Sequence, residues 1–412
     1  MSRHLPVRPN LDQLRHQAKD LLRNIHNGDP AALAELRERH SDPVEPADAR
    51  LADAQLTLAR AYGLPSWPRL VLACRVIDAI WSDNTDAIRE LIRQHPHLLT
   101  EMARGTQSCN WGPPMTYAAN LGRDRVIAVL RDLGAADVQS ALIRAILQGR
   151  IDTARQLYAW GARPERGAVM GPAETQNGAG MAYLLELGAE LSDAKGDRLA
   201  PVALLLETYC RNPAGKHRCL DLFTARGIEL PDTPVMALHR GRIDLLEEHL
   251  RRDPGLLTRT FSHPEIYPSE LGCHADESLA LHGTPVAGTT LLHLCVEFLE
   301  LDVARWLIER GMDANARAAV DPEGFGGHTP LFGCVVAVAG YRNQDDFARL
   351  LLDHGADPSA RASLRKRLRF ADDETMHEYH DVTPLAWGER FHDKKFVNKA
   401  ALRLIADRGG QR

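Results

Sequence analysis

Thr290-Leu291-Leu292-His293-Leu294-Cys295, Thr329-Pro330-Leu331-Phe332-Gly333-Cys334 and Thr383-Pro384-Leu385-Ala386-Trp387-Gly388 are three versions of one hexad. Each opens on Thr, whose hydroxyl can cap a helix N-terminus. Two continue with Pro, which suits the first helical position because its missing N–H has no partner there. Each ends on a small residue that lets two helices approach closely. Downstream, Leu307-Ile308-Glu309-Arg310-Gly311 and Leu351-Leu352-Asp353-His354-Gly355-Ala356-Asp357 are apolar helical runs stopped by glycine, the residue that most readily takes left-handed backbone past a helix end. The unit is a helix pair, and it repeats.

Outward from these units the pattern continues in weaker form. Gly134-Ala135, Gly161-Ala162 and Gly188-Ala189 follow the apolar runs Val126 to Leu133, Ala154 to Trp160 and Met181 to Leu187. Pro114-Met115-Thr116-Tyr117-Ala118-Ala119 with Gly122, Leu142-Ile143-Arg144-Ala145 with Gly149, and Pro234-Val235-Met236-Ala237 with Gly241 are degenerate openings. The pattern is poorest between Gly161 and Pro231. Taken together it resembles the ankyrin repeat, with its T-P-L-H-x-A opening and G-A-D-x-N ending. The fullest matches are Thr290 to Asn315 and Thr329 to Ala360. The resemblance implies an all-α ankyrin-repeat solenoid of about eight helix pairs over residues 76–412. It also implies a protein–protein interaction scaffold that binds through a concave face and finger loops.

Residues 1–75 differ. Asn10 can cap a helix with Leu11, Leu14, Ala18, Leu21 and Ile25 on one stripe, ended by Gly28. Asp29-Pro30 opens a second helix, a third runs from about Ala47 to Tyr62, and Leu64-Pro65-Ser66-Trp67-Pro68 turns into a fourth. The segment resembles the N-terminal helical part of some bacterial ankyrin proteins. Its physical reading is a capping domain, because the end of a solenoid exposes an apolar face that a terminal unit must cover.

Composition narrows the function classes. The chain has 412 residues, 50 Lys+Arg against 55 Asp+Glu and 44% hydrophobic residues, ordinary for a globular protein and wrong for a disordered one. Seven Cys are too few and odd in number for a disulfide scaffold, and read as reduced cytoplasmic thiols. A net charge of -5 argues against nucleic acid, whose phosphates demand a basic surface. No segment approaches the roughly 18 consecutive apolar residues of a membrane span. The expected setting is the cytoplasm, with another protein as partner.

Three stretches exceed the repeat: 254–288, 318–328 and 359–381. Long loops in a compact fold are more often functional or disordered than neutral. Nine of the 18 His lie between His263 and His392. His263, Glu265, Cys273, His274 and His282 share the first insertion, Glu323 and the neighbouring His328 belong to the second, and Arg365, His377 and His380 lie in the third, with His392 downstream. Imidazole and carboxylate suit zinc or another divalent metal, for which His263, His274, His377 and His380 are the candidate ligands. An H-x-x-H pair offers both rings to one ion only on a helical turn. Cys273 is the thiol expected to be exposed, whereas Cys295 and Cys334 take the small-residue position of the core. His293 takes the structural His position of the opening, and His354 sits at a helix end that favours a cation. Asp321 to Gly327 is glycine-rich enough to offer backbone N–H groups to an anion. Arg361, Arg365, Lys366, Arg367 and Arg369 form a basic run read mainly as a solvated face.

Two functions follow. The first is the partner-binding scaffold, with no cofactor and no catalysis. The alternative is a small-molecule, metal or enzymatic site built from His, Asp, Glu and Cys of the C-terminal insertions. The P-loop, Rossmann, G-x-S-x-G and H-E-x-x-H signatures are all missing from the sequence.

Overall fold

A computed structural model describes residues 3–40, 43–105, 110–337 and 344–411. Cys109 lies outside the described residues. The chain divides into two compact units, Met1–Pro164 and Glu165–Arg412.

The first unit begins with helices α1 (Leu11–His26), α2 (Pro30–Arg39), α3 (Leu51–Ala61) and α4 (Trp67–Trp81). Their starts follow the capping rule: the side chains of Asn10, Asp29 and Ser66 accept the N–H of Gln13, Ala32 and Arg69. Leu14, Ala18, Leu21 and Ile25 are buried as one stripe on α1. Helix α3 starts later than Ala47, at Leu51, where the Arg50 N–H donates to the Asp53 carboxylate at 2.7 Å. Helix α4 pairs with Thr85–Gln94, and two further pairs follow, Pro114–Leu121 with Asp124–Asp132 and Val138–Leu147 with Ile151–Ala159. The helices before residue 75 therefore pack into the same unit as these pairs, and the contact boundary falls at residue 164.

Among the described residues the second unit holds six pairs, opened by Met170–Glu174, Ala200–Glu207, Pro234–His239, Leu291–Phe298, Pro330–Val335 and Pro384–Arg390. From Pro234 on, each opening helix packs against the next. The first two pairs occupy the stretch where the repeat was least readable, and Gln176 explains part of that. It stands at φ 50 where a glycine would signal the turn. Its side chain reaches the next pair, accepting the Asn212 N–H at 2.6 Å and donating to Leu205 O at 3.2 Å. Leu299 likewise takes φ 64 after the Leu291–Phe298 helix. Among the described residues, strands are confined to two antiparallel pairings: β1 (Thr260–Phe261) with β2 (Thr289–Thr290), and β3 (Ala362–Lys366) with β4 (His377–Val382). The third insertion, expected as a loop, is thus a hairpin. No described helix is long and apolar enough to cross a membrane.

The small residue closing each hexad acts as the sequence implied. Cys295 and Cys334 are buried. At Gly388 an added Cβ would lie 2.8 Å from Leu402 Cδ2 and 3.1 Å from Val335 Cβ. Overpacking such a contact costs about 1–3 kcal/mol. Gly388→Val is therefore expected to lower the free energy of unfolding in urea by that much, and an unchanged midpoint would contradict the close helix approach.

Candidate functional site

The first insertion leaves the helix Ile243–Arg252 through the turn Pro254–Leu257 and enters β1, whose Thr260 and Phe261 pair with Thr290 and Thr289 of β2. A one-turn helix, His263–Ile266, follows. Its start is a capping box in which the Glu265 carboxylate accepts the N–H and hydroxyl of Ser262, both at 2.8 Å. The chain then turns at Gly272 and returns past His274 to His282.

The second insertion is a finger folded on its own Asp321. The Asp321 carboxylate accepts the N–H of Glu323 and of Phe325, both at 2.9 Å. The backbone donors read as an anion cradle are thereby already engaged. Gly326 has φ 120, and an added Cβ would lie 2.0 Å from Ala319 O; only glycine fits there.

Backbone bonds join all three insertions. Ala319 N–H donates to Gly288 O at 2.7 Å, and Gly326 N–H donates to Ser363 O at 2.7 Å. Side chains reinforce the second joint. Arg365 pairs with Asp321 at 2.7 Å and with Glu323, and it lies 5.0 Å over the Phe325 ring. Along β3, Ala362, Leu364 and Lys366 face inward while Ser363 and Arg365 alternate outward.

Between the insertions lies a cavity of about 860 Å³, lined among others by His263, His282, His328, Asp321, Arg365 and Lys366. A smaller cavity of about 200 Å³ shares His282, Lys366, Arg367 and Ser278 with it. Three of the lining imidazoles are buried. His263 Nε2 donates to His274 O at 2.8 Å and His328 Nε2 to Pro285 O at 3.1 Å, and the Nδ1 of each is buried without a partner. His282 Nδ1 lies 2.9 Å from both Thr284 O and Lys366 Nζ. Burial holds His282 well below the ordinary histidine range, with Lys366 adding to the effect, and takes His328 down to about 4. Burial also lowers Lys366 to about 8, against the pull of Glu297 and Glu277.

Other buried charges near the first insertion are matched. Arg211 and Glu297, with side chains 3% and 5% exposed, pair at 2.7 Å. Burial pushes the Glu297 carboxyl up against the attraction of Arg211. Lys216 and His217 both reach Glu300 at 2.9 Å. Glu207 accepts the His274 N–H at 2.6 Å and faces its Nδ1 at 2.8 Å.

The repeat itself is now concrete in the stretch from the finger to β3. There the His328–Thr329–Pro330 opening, the pair Pro330–Val335 and Asp346–Asp353, and the turn at Gly355 succeed one another. The ankyrin repeat family model matches residues 326–363, the same stretch. The chain contains an ankyrin repeat. Among solved structures the ankyrin chain is similar to the human ASB11 ankyrin repeat domain, at 16% identity over 73% of this chain and 99% of that one, with a TM-score of 0.25. No curated protein matches it.

The ankyrin array brings together only some of the residues singled out by sequence. Glu265, His263, His282, His328 and Arg365 line the large cavity. Glu323 lies beside it in the finger, bound to Arg365. His274 turns to Glu207 instead, with its side chain 57% exposed. Cys273 is a correction: it is buried rather than exposed, and burial pushes its thiol far above the usual range. His377 and His380 are also a correction as a ligand pair. They stand on a strand, where residues three apart face opposite ways. His377 stacks on His392 at 4.0 Å and bonds Asp373, while His380 lies against Phe325. The four candidate metal ligands do not converge, and among the described residues no three His, Cys, Asp or Glu side chains are placed to hold a metal. His293 keeps the structural role expected of it, with Nε2 3.0 Å from His328 O and Nδ1 at the Thr290 cap. His354 Nδ1 lies 2.8 Å from Leu350 O at its helix end.

Sequence reading missed Lys366 as a buried group, and with it Glu207, Arg211, Lys216, Glu297 and Glu300. For Lys366 a signal was present: in Ala362-Ser363-Leu364-Arg365-Lys366-Arg367-Leu368 it shares the alternating face of Ala362, Leu364 and Leu368.

His239, His282, His293 and His328 are all buried and held below the ordinary histidine value, chiefly by burial. The unfolded chain takes up these protons near pH 6.5, whereas the folded chain resists them to far lower pH. Folding stability therefore falls as pH drops from about 6.5 toward 4. The urea midpoint is expected to be clearly lower at about pH 5 than at about pH 7; equal midpoints would contradict neutral burial of these rings.

Proposed function

We propose that this ankyrin-repeat protein is a protein-recognition module, and that its partner surface is the face built by the three insertions of the second unit. Ankyrin repeats generally mediate protein–protein interaction. The observation that carries the placement is where apolar surface is left bare. Val320, Phe370 and Met376 are 62%, 75% and 54% exposed, the largest values among the exposed large hydrophobic residues described. Val320 and Met376 line the large cavity, and Phe370 lines the small one beside Tyr209. Clustered apolar side chains rimmed by charge are the usual mark of an interaction site. The support thus favours the finger loops of the original expectation over the concave face. The proposed setting is the cytoplasm, where the six described cysteines, all free, would remain reduced.

The second reading, a small-molecule site, draws on the cavity of about 860 Å³, within the range of roughly 300–1,000 Å³ usual for ligand pockets. It needs no metal and assigns no reaction.

The test is a pull-down from the source cell extract with three forms: wild type, Val320→Asp/Phe370→Asp, and Ile143→Asp in the first unit as control. A partner retained by wild type and the control and lost by the double variant is the expected result. A partner bound equally by all three contradicts the placement, and the lack of any specific partner contradicts the function.

A further inference from the structure

Two lysines are buried among the described residues, and they are treated differently. Lys216 has its carboxylate, Glu300, at 2.9 Å. Lys366, 7% exposed, has no carboxylate within 4 Å among the described residues, and its Nζ faces only His282 Nδ1 at 2.9 Å. That imidazole nitrogen is also 2.9 Å from Thr284 O. One nitrogen cannot serve both: donating to Thr284 O leaves the lysine facing an N–H, and accepting from the lysine leaves the carbonyl facing a lone pair. An ammonium in this place is poorly compensated, and buried charges persist when something pairs with them. Lys366 lines both cavities.

His263 and His328 are 5% and 2% exposed. Each spends its Nε2–H on a backbone carbonyl, which leaves Nδ1 as an acceptor with no donor. Buried acceptors are almost always satisfied. The residues lining the cavity thus include one underpaired cation and two imidazoles with a buried acceptor lacking a donor.

We propose that the insertion cavity is a carboxylate-binding site, in which Lys366 pairs with the carboxylate of a compound whose N–H or O–H groups donate to His263 and His328. A singly charged group fits better than a dianion, because Glu297 and Glu277 already act on Lys366. Two sources share this chemistry. One is an acidic side chain of the partner polypeptide, whose backbone supplies the N–H donors. The other is a free hydroxy- or amino-carboxylate. The first source rests on the protein-recognition reading above; the site itself does not.

Calorimetric titration of the full chain at neutral pH and low salt separates the outcomes. One probe is the blocked peptide Gly-Gly-Asp-Gly-Gly, with its Asn counterpart as control; the other is L-lactate, a singly charged hydroxycarboxylate. The expected result is saturable binding of at least one probe below about 10 mM. Binding of the Asp peptide alone assigns the site to a partner side chain, and binding of lactate alone to a free carboxylate. Lys366→Met is expected to weaken binding by about tenfold or more, while Lys366→Arg retains part of it. Removing a buried, underpaired charge should leave the fold intact, which circular dichroism checks; if Lys366→Met does not fold, the Arg variant and the Asn peptide carry the comparison. No saturable binding of either probe, equal binding of the Asn peptide, or equal binding by Lys366→Met overturns the proposal. Failure here leaves the Val320→Asp/Phe370→Asp result to decide protein recognition separately.

Discussion

Two backbone hydrogen bonds hold the C-terminal surface in one piece: Ala319 N–H to Gly288 O and Gly326 N–H to Ser363 O. Through them three segments, far apart in sequence, behave as one wall. The geometry of the second bond requires glycine at 326, because any Cβ would meet Ala319 O. Arg365 then fastens the finger to the hairpin through Asp321 and Glu323. Such a joint is stronger than an exposed ion pair alone, since the backbone bonds fix the register and the guanidinium closes a ready geometry. The cavity exists because these segments are joined; three independent loops would enclose nothing.

Beneath this wall the repeat core has been modified rather than replaced. The Leu291–Phe298 helix carries Glu297 in an otherwise apolar run, and Glu300 follows it. Both are buried, and both are answered by cations from the pair opened by Ala200–Glu207, Arg211 in its connection and Lys216 in its second helix. Arg211 also donates to Leu281 O and to Glu297 O, so a single guanidinium ties the first insertion to the repeat. A matched buried pair adds little net stability, but losing one partner is costly. The arrangement thus favours one seating of the insertion over others.

The fold was legible where local chemistry and tertiary need coincide. Thr-Pro openings, glycine stops and the α1 stripe all announce themselves, because caps and left-handed turns restrict residue choice strongly. Legibility failed where another residue took the glycine's place: Gln176 and Leu299 adopt left-handed backbone held by packing and side-chain bonds that no local rule reveals. The site was legible in outline, since the over-long segments and their histidines do line a common cavity. Its particulars depended on period. His377 and His380 suit one ion on a helix and diverge on a strand. Lys366 looks like part of a solvated basic run until the run is read with period two. Cys273 was misjudged because a polar neighbourhood in sequence, Gly272 and His274, says little about what folds over it.

The three insertions form one hydrogen-bonded wall. Amide hydrogen exchange followed by NMR at Ala319 and Gly326 tests it most directly, since both donors are committed across insertions. Slow exchange at both, comparable with amides of the Leu291–Phe298 helix, is the predicted result. Exchange at the rate of a solvated loop at either position would contradict it.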